Sequence, residues 1–402
     1  MAAANETDLL EPPVIDIDPF GPEARNDPYA FYRQVRDTAP VVWFSKHKTY
    51  GVARYEEVQQ VQKNHEIFMA SAGSGLSDTR LPGSWREGAN ITSSDPPEHT
   101  PLRAIMNKIL SPVIIRGWRE AFEREGSALI DRLIARRRFD VVHDLAEAFV
   151  VSVFPPALGV RMTRDQAVLI GNLNFNALGP PNDLFEKSRR DAAPFEDFIA
   201  RSRTRDGVIP GGFAEKIFDA EDAGQVPKGA ASGLMLALVR GGMDTTISAI
   251  GNAFHLLATN PEQWKLFRQD PALARNVFDE TLRIASPIQT YYRTTTRPAS
   301  LSGMALKGNA KVQMLVGSAN RDPRRWDNPD MFDIRRVTIG QLALGTGVHN
   351  CVGQMIARLE GEAVLRPFAG RVAGFELDGP AVRRPNNSLW TLESLPVRVA
   401  PD

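Results

Sequence analysis

The feature that most constrains this chain is its single cysteine, Cys351, which lies in the glycine-rich stretch LGTGVHNCVGQ. One cysteine excludes an intramolecular disulfide, so a hydrophobic core must hold the fold, and the reducing cytosol is the natural compartment. A free thiol is usually a small buried hydrophobe, a catalytic nucleophile or a metal ligand. The glycines favour the ligand, because they let the backbone turn sharply and approach a flat group closely.

The segment after Cys351 predicts a helix, since its apolar residues recur at helical spacing: Val352, Ile356, Leu359, Ala363 and Phe368. The N–H groups and dipole at the start of such a helix stabilise a thiolate. None of the six histidines has the protease or amidase surroundings that a nucleophilic cysteine needs. Zinc needs several soft or imidazole ligands at short spacing. A haem iron fits better, because one axial protein thiolate is enough.

The cysteine segment resembles the haem-binding loop of the cytochromes P450, which are haem-thiolate monooxygenases. The family's Phe-Gly-x-Gly-x-His-x-Cys-x-Gly pattern is matched from Gly345 to Gly353, and Leu344 stands where phenylalanine is usual. The resemblance implies that Cys351 binds the iron of haem b, and that Gly345 and His349 contact the haem. It also implies a mainly α fold with smaller β-sheets, the triangular P450 domain.

The stretch GGMDTTISAIG resembles the family's long central helix. Two helical glycines, Gly241 and Gly242, cost about 1 kcal/mol each relative to alanine, which is tolerable where a group must come close or the helix must open. The resemblance implies that Gly241 faces the haem, and that Asp244 and Thr245 deliver protons during oxygen activation. Without the cysteine loop, the same residues would be only a polar pair on a helix.

Glu280 and Arg283 in ETLRIASP match the family's Glu-x-x-Arg, whose role is structural. Such pairs are also ordinary on helix surfaces, and Glu186 with Arg189 fits the same pattern. The order along the chain favours the first pair, because it follows the acid–threonine helix and precedes the cysteine loop.

A haem also needs basic partners for its two propionates. In SSDPPEHTPLRAIMNKIL, His99 and Arg103 lie four residues apart on one face of a predicted helix. In the family, the matching residues bind propionates, and Arg293 and His349 match two further contacts. Each residue alone could equally be an ordinary surface base.

Composition fits a globular protein, with 24% charged and 43% hydrophobic residues among 402. Lys+Arg and Asp+Glu balance at 48 each, which gives no sign of nucleic-acid binding. The acidic, proline-broken N-terminal segment predicts no targeting helix, and the apolar segment 229–259 is interrupted by Arg240 and Asp244. We expect one P450 haem domain over residues 1–402, cytoplasmic and with no membrane partner.

Several stretches resemble one bacterial subfamily, the P450 enzymes that O-demethylate or hydroxylate para-substituted benzoates. They include FNALGPPNDL, SPIQTYYRTTTR and RRPNNSLWTLESLP. By this resemblance Phe175, Leu178 and Tyr291 would line a flat aromatic slot, although each could also be plain core.

Arg86 stands at the position of the arginine that binds the substrate carboxylate in this subfamily. The hydroxyl-bearing positions of its central helix are replaced here by Leu236, Ala237 and Arg240. Arg240 lies one turn before Asp244, so two arrangements are open: it pairs with that acid, or it points into the pocket as a second guanidinium for the carboxylate.

The resemblance implies O2 as co-substrate and electrons from a ferredoxin and its reductase, so that NAD(P)H acts only indirectly. We expect an acidic ferredoxin to dock near the cysteine loop, with Arg358 among the steering bases. Two alternatives are a P450 hydroxylase of a terpene, fatty acid or biosynthetic intermediate, and a non-catalytic haem-binding sensor.

Overall fold

The computed structural model of the protein describes residues 9–86 and 91–402. The first eight residues of the N-terminal segment lie outside this description. The described part is mainly helical with small β-sheets, as the sequence predicts.

The helices of the described part form most of the structure. They are α1 (Pro22–Asn26), α2 (Pro28–Thr38), α3 (Tyr55–Lys63), α4 (His99–Ile109), α5 (Pro112–Arg136), α6 (Ala148–Leu158), α7 (Arg164–Asn176), α8 (Asp183–Ala192), α9 (Glu196–Ser202), α10 (Phe213–Asp222), α11 (Ala230–Gly241), α12 (Asp244–Thr259), α13 (Pro261–Gln269), α14 (Ala274–Ala285), α15 (Val316–Ala319) and α16 (Gln354–Ala369). A π-helical segment, Val141–Glu147, runs directly into α6, and a short 3₁₀ turn, Gly347–His349, precedes Cys351.

The strands form one larger sheet and three small ones. They are β1 (Val14–Ile15), β2 (Val42–Phe44), β3 (Thr49–Val52), β4 (Phe68–Met69), β5 (Arg138–Asp140), β6 (Thr290–Thr295), β7 (Ala299–Leu301), β8 (Met304–Leu306), β9 (Lys311–Leu315), β10 (Val372–Leu377), β11 (Val382–Arg384), β12 (Thr391–Ser394) and β13 (Pro396–Pro401). The larger sheet has the order β1-β2-β3-β9-β6-β4, and β11 and β12 form a separate antiparallel hairpin near the C-terminus.

The helical core is built around α5, α12 and α16. On α16, the predicted apolar face is buried at Ile356, Leu359, Ala363 and Phe368. Helix α5 packs closely along α16 at Gly126, where a Cβ would lie 2.3 Å from a backbone oxygen of Ala363. Burial of these faces supplies the main stabilisation, because each fully buried large apolar side chain contributes about 1.5–3 kcal/mol.

The apolar segment 229–259 is two helices, with a break between Gly241 and Asp244. The Thr245 hydroxyl donates a hydrogen bond of 3.0 Å to the Gly241 carbonyl oxygen. At Gly242 a Cβ would lie 2.5 Å from the ring of Phe154, so only glycine allows this close packing. The helix therefore opens at the two glycines.

In the described part of the chain, Val141–Leu158 is the stretch long and apolar enough to cross a membrane. It is not the segment that the sequence marks as most apolar, and 61% of it is buried inside the fold. This burial is typical of a core helix.

The Glu280–Arg283 pair joins α14 to the segment before the cysteine loop. Both side chains are completely buried, and two guanidinium nitrogens each donate to a Glu280 oxygen at 2.7 Å. Arg283 also donates to the carbonyl oxygens of Asn320 and Pro329 at 2.8 Å. Because Arg283 is completely buried and also donates to the carbonyl oxygen of Met331 at 3.2 Å, this pair holds the backbone of residues 320–331 against α14.

We expect Arg283→Ala to lower the free energy of unfolding by about 3–5 kcal/mol, because it leaves a buried carboxylate without its main partner. The measurement is urea unfolding followed by circular dichroism. The matched control is Arg189→Ala, since Arg189 and Glu186 have the same spacing but side chains that are 63% and 38% exposed. That variant should change by less than about 1 kcal/mol, and equal losses in both would contradict a structural role for the buried pair.

Candidate active site

One large cavity lies between α4, α11, α12, the start of α16 and the cysteine loop. Its volume is about 320 Å³, which lies in the range of roughly 300–1,000 Å³ usual for a site that binds a small molecule. The structure brings most of the predicted site residues to its wall: Arg86, His99, Arg103, Phe175, Leu178, Ala237, Arg240, Gly241, Thr245, Tyr291, Arg293, Gly345, His349 and Cys351.

The cysteine loop places the thiol at one wall of this cavity. Gly345 and Gly347 have φ of +67° and +73°, a conformation that favours glycine. A Cβ on Gly347 would lie 3.0 Å from the Gln62 carbonyl oxygen, so the loop also needs glycine for its close approach to α3. The Cys351 N–H donates to the Leu344 carbonyl oxygen at 2.7 Å, which closes the loop just before α16 begins.

The Cys351 thiol faces the cavity but is shielded from bulk solvent. Burial raises its pKa, while the Gly353 backbone N–H and the charges of Arg103 and Arg358 lower it. Without a metal the thiol is therefore favoured, because burial outweighs the stabilisation that the start of α16 gives to a thiolate. A bound metal cation would remove the proton, because coordination deprotonates thiols outright.

Two histidines meet at the edge of the cavity. The rings of His99 and His349 are 4.4 Å apart between centroids, and the Nε2 atom of each is buried without a hydrogen-bond partner in the described residues. Burial lowers the pKa of both, that of His99 to about 4, helped by the neighbouring charges of His349 and Arg103. His349 lies 3.8 Å from the Asp95 carboxylate, too far for a hydrogen bond.

Arg103 and Arg293 complete this basic group. Arg103 donates to the backbone and side-chain oxygens of Asn350, the residue before the cysteine. Arg293, on β6, is 5% exposed, and burial lowers its pKa. A carboxylate here would accept from the orphaned imidazoles and relieve the cost of two buried guanidiniums.

These residues fit a haem. The iron requires one thiol ligand in an open loop of glycines. The two propionates require a separate group of side chains that donate hydrogen bonds to carboxylates. At Gly241 a Cβ would meet nothing within 4 Å, so the cavity is open on that side.

Just after the break in the central helix, the first two residues of α12, Asp244 and Thr245, face different surroundings. Thr245 lines the cavity, whereas Asp244 does not. The Asp244 carboxylate accepts two hydrogen bonds, of 2.6 and 2.7 Å, from Arg384 on β11. Arg240 lines the cavity, which favours the arrangement in which it points into the pocket.

Arg86 enters the same side of the cavity beside α7. Its guanidinium donates to the backbone oxygen of Asn174 at 2.6 Å and to the side-chain oxygen at 3.1 Å. The Asn174 amide in turn donates to the Arg240 carbonyl oxygen at 3.3 Å. Asn174 therefore fixes the direction in which Arg86 points.

The predicted aromatic slot is only partly assembled. Phe175 and Leu178 are buried together and pack with Leu389 and Ile288. Tyr291 packs with a different cluster, and its hydroxyl accepts a 2.6 Å hydrogen bond from the Gln62 amide. The structure therefore places Tyr291 at the end of the cavity near the cysteine loop, away from Phe175 and Leu178.

Comparison with known proteins identifies the family. The Cytochrome P450 family model matches residues 219–368. The chain is 44% identical over 391 residues to cytochrome P450 CYP199A2 of Rhodopseudomonas palustris, covering 97% of this chain and 95% of that protein. The chain belongs to the cytochrome P450 family.

Two further relatives agree with this assignment. A beta-dihydromenaquinone-9 omega-hydroxylase of Mycobacterium tuberculosis is 30% identical over 401 residues, covering 96% of this P450 and 79% of that protein. The structure of CYP109Q5 from Chondromyces apiculatus has a TM-score of 0.80 at 26% identity and covers 96% of this chain and 99% of the other. This P450 is a monooxygenase that uses haem b and O2, with electrons from redox partners.

Three residues near the site were not singled out from the sequence. Asn174 and Arg384 act on Arg86 and Asp244 over 88 and 140 positions of sequence, and no local pattern reveals these contacts. Glu360 is fully buried on α16 and lines the cavity, and burial raises its pKa to about 8, which the nearby Thr246 hydroxyl offsets only in part. The sequence does indicate this position, because a glutamate four residues after Ile356 lies on the predicted buried face of the helix.

Arg358 does not have the exposed position expected of a docking base. Its guanidinium donates to Asp279 at 2.7 Å and to Gln354 at 2.8 Å, and its side chain is 15% exposed. Its charge lowers the pKa of the Cys351 thiol, so it acts inward on the cysteine.

We expect Cys351→Ser to abolish the thiolate-type Soret band of the ferrous–carbonyl complex, because a serine hydroxyl cannot provide the same axial ligand. The measurement is the reduced, CO-bound absorption spectrum, with circular dichroism to show that the fold is retained. An unchanged thiolate spectrum in the variant would remove Cys351 as the ligand.

Proposed function

We propose that this P450 oxidises small aromatic carboxylic acids and O-demethylates para-methoxybenzoate. The observation that supports this most is the guanidinium of Arg86, buried in the cavity wall and held in place by Asn174. Resemblance to the benzoate-oxidising subfamily supports the same substrate class.

The electrostatics at Arg86 favour an anion. Burial, and to a smaller extent the nearby charge of Arg240, lower the pKa of Arg86 to about 9. The guanidinium stays charged at neutral pH, and no carboxylate of the described residues forms an ion pair with it. A buried cation is costly unless it is paired, so a substrate carboxylate would offset the cost and gain a charge-assisted hydrogen bond.

The walls beside Arg86 suit a flat ring. Phe175 and Leu178 are apolar and almost completely buried, and Ile288 packs against them. An aromatic ring against such a surface gains area burial and ring contacts. Ala237 stands where the related enzymes have a hydroxyl, so in this chain guanidiniums rather than hydroxyls would bind the carboxylate.

The residues on α12 would handle protons while the substrate is held over the cofactor. When bound, the thiolate-ligated haem supplies O2 reduction and insertion of one oxygen atom into a C–H bond. Thr245 faces the cavity, and its hydroxyl donates to Gly241, so it can pass a proton to a group in the cavity and accept one in turn. Asp244, the residue before Thr245 in the sequence, is the acidic residue of this pair.

The products follow from the chemistry of the methoxy group. Methoxybenzoate, O2, two electrons and two protons give water and a hydroxymethyl ether. This hemiacetal breaks its carbon–oxygen bond to release formaldehyde and 4-hydroxybenzoate. The carboxylate end is unchanged, so Arg86 would hold substrate and product alike.

We further propose a ferredoxin and its NAD(P)H-dependent reductase as the electron source, and one haem domain acting in the cytoplasm. The chain has equal numbers of acidic and basic residues, so a charged ferredoxin would recognise a local patch. Because Arg358 is paired with Asp279, we propose that other bases on the cysteine-loop face form that patch.

We expect a spectral shift of the ferric haem from low to high spin on titration with 4-methoxybenzoate, and little response to the neutral 4-methoxytoluene. Arg86→Gln should weaken benzoate binding by about 30-fold or more, which corresponds to about 2 kcal/mol for losing a buried charged partner. Arg86→Lys retains charge and should lose less.

A matched control is Phe175→Leu, which changes the apolar wall and should weaken the acid and the neutral ether alike. Equal losses for both ligands in Arg86→Gln would contradict the role of Arg86. A shift only with a terpene or a long fatty acid would replace the substrate class. Absence of ligand-dependent NADH consumption and product would favour a haem-binding sensor.

A further inference from the structure

A second cavity lies beside the C-terminal hairpin, between α1, α2, β9 and β11. Its volume is about 630 Å³, within the roughly 300–1,000 Å³ usual for a site that binds a small molecule. Two of its lining residues, Pro22 and Pro385, are exposed, so a ligand can reach the cavity from solvent. We define the second cavity by Arg25, Phe31, Gln313, Leu315, Arg383 and Trp390.

An apolar partition separates the second cavity from the haem cavity. Phe175 lines the haem cavity and belongs to the same apolar cluster as Leu389, which lines the second cavity. The backbones of Ile288 and Leu389 form a β-bridge. Beside it, the Gln289 N–H donates to the Ser388 carbonyl oxygen at 2.8 Å. Because main-chain hydrogen bonds fix this partition, the second cavity is a separate site.

Arg25 and Arg383 bring positive charge to the second cavity. In the described part of the chain neither forms an ion pair with a carboxylate, and the cavity lining contains no aspartate or glutamate. Arg383 instead donates to the side-chain oxygen of Asn252 at 2.6 Å, and its guanidinium lies 4.2 Å from the ring centroid of Trp390. Burial lowers the pKa of Arg383 to about 10, so the group is charged at neutral pH. A partly buried cation without a paired anion is costly, so an anion in the cavity would be stabilised.

The Gln313 amide, on β9, adds a hydrogen-bond acceptor to the same cavity. Its Nε2 donates to the Thr290 hydroxyl at 3.1 Å. Its Oε1 is buried without a hydrogen-bond partner among the described residues, and Gln313 is only 1% exposed. A buried carbonyl oxygen without a donor is costly, because it has given up its hydrogen bonds to water. A hydroxyl group in the cavity would supply the missing donor.

Apolar side chains complete the lining. Phe31 and Leu315 are almost completely buried, and the ring of Trp390 lies against the guanidinium of Arg383. Such surfaces suit a flat ring. A ligand that matches every part of this lining carries a carboxylate for the arginines, an aromatic ring, and a hydroxyl for Gln313.

We propose that the second cavity binds a hydroxy-substituted aromatic carboxylate. The carboxylate would accept hydrogen bonds from Arg25 and Arg383, and the hydroxyl would donate to Oε1 of Gln313. 4-Hydroxybenzoate has both groups and is the product of the proposed demethylation, so its role as the ligand rests on the proposed function, whereas the site rests on the residues of the second cavity. 4-Methoxybenzoate has no hydroxyl donor, so this site would hold product in preference to substrate.

The test is equilibrium dialysis of the haem-loaded protein with labelled 4-hydroxybenzoate. 4-Phenylimidazole is present throughout, because its nitrogen binds the haem iron and its ring blocks the haem cavity, and the Soret band shows that it stays bound. We expect about one 4-hydroxybenzoate per chain. 4-Methoxybenzoate should bind about fivefold more weakly, because it lacks one hydrogen bond to a buried acceptor.

Variants locate the binding site. Arg383→Gln should weaken binding of 4-hydroxybenzoate by about tenfold, because it removes a charged partner. Arg25→Gln should weaken it in the same direction, and Arg25 lies outside the apolar core, so the fold is retained. Gln313→Met should bring the two acids to similar affinity, because only 4-hydroxybenzoate loses a hydrogen bond. The matched control is Arg335→Gln, which removes one charge from an exposed arginine outside the cavity and should leave binding unmoved.

This inference and the proposed function fail in different measurements. Dialysis with the haem cavity blocked needs neither turnover nor a spin-state shift. A protein that shows no spin-state response to benzoates but still binds 4-hydroxybenzoate in the second cavity would lose the proposed substrate and keep this site.

Three results would overturn the proposal. The first is no binding of 4-hydroxybenzoate while 4-phenylimidazole occupies the haem cavity. The second is binding that Arg25→Gln and Arg383→Gln leave unchanged, with circular dichroism showing that both variants are folded. The third is displacement of 4-hydroxybenzoate by inorganic phosphate at equal concentration, which would show a site for any anion and no recognition of the ring or hydroxyl.

Discussion

The constraint on which the active site depends is the burial of positive charge around one cavity. His99, Arg103, Arg293 and His349 surround one part of its wall, and Arg86 lies in another. The pKa of each is lowered mainly by burial, so the protein keeps these groups where their charged forms are costly. Anions in the cavity offset that cost. We propose that the propionates of a bound haem would be held by the first group and a substrate carboxylate by Arg86. Cofactor binding and substrate selection would then rest on the same principle.

The rest of the site is a consequence of where the central helix breaks. With Gly241 and Gly242 at the break, Thr245 faces the haem cavity and Asp244 faces away from it. Adjacent residues of any α-helix point about 100° apart. Here Thr245 and Asp244 also face different polar surroundings. Thr245 lines the cavity, and the carboxylate of Asp244 is bound by Arg384 on β11.

The cysteine loop and the segment before it are held rigid by a buried ion pair. The Glu280–Arg283 pair has no exposed surface and is bound to the carbonyl oxygens of the preceding segment, so it holds backbone as well as side chains. The cysteine loop then needs only its glycines and one hydrogen bond from Cys351 to Leu344 to be fixed. Arg358, buried against Asp279, adds positive charge near the sulfur.

The sequence by itself determined the mainly helical fold, the candidate iron ligand Cys351 and most of the residues of the cavity wall. It could do so because these depend on local spacing: glycines around one cysteine, apolar residues three and four apart, and bases one turn apart. Only the tertiary structure decided what each polar side chain faces. Arg384 reaches Asp244 across 140 positions, Asn174 directs Arg86 across 88, and Tyr291 lies apart from Phe175. Such contacts are made by packing between distant elements, and neighbouring residues in the sequence hold no information about them.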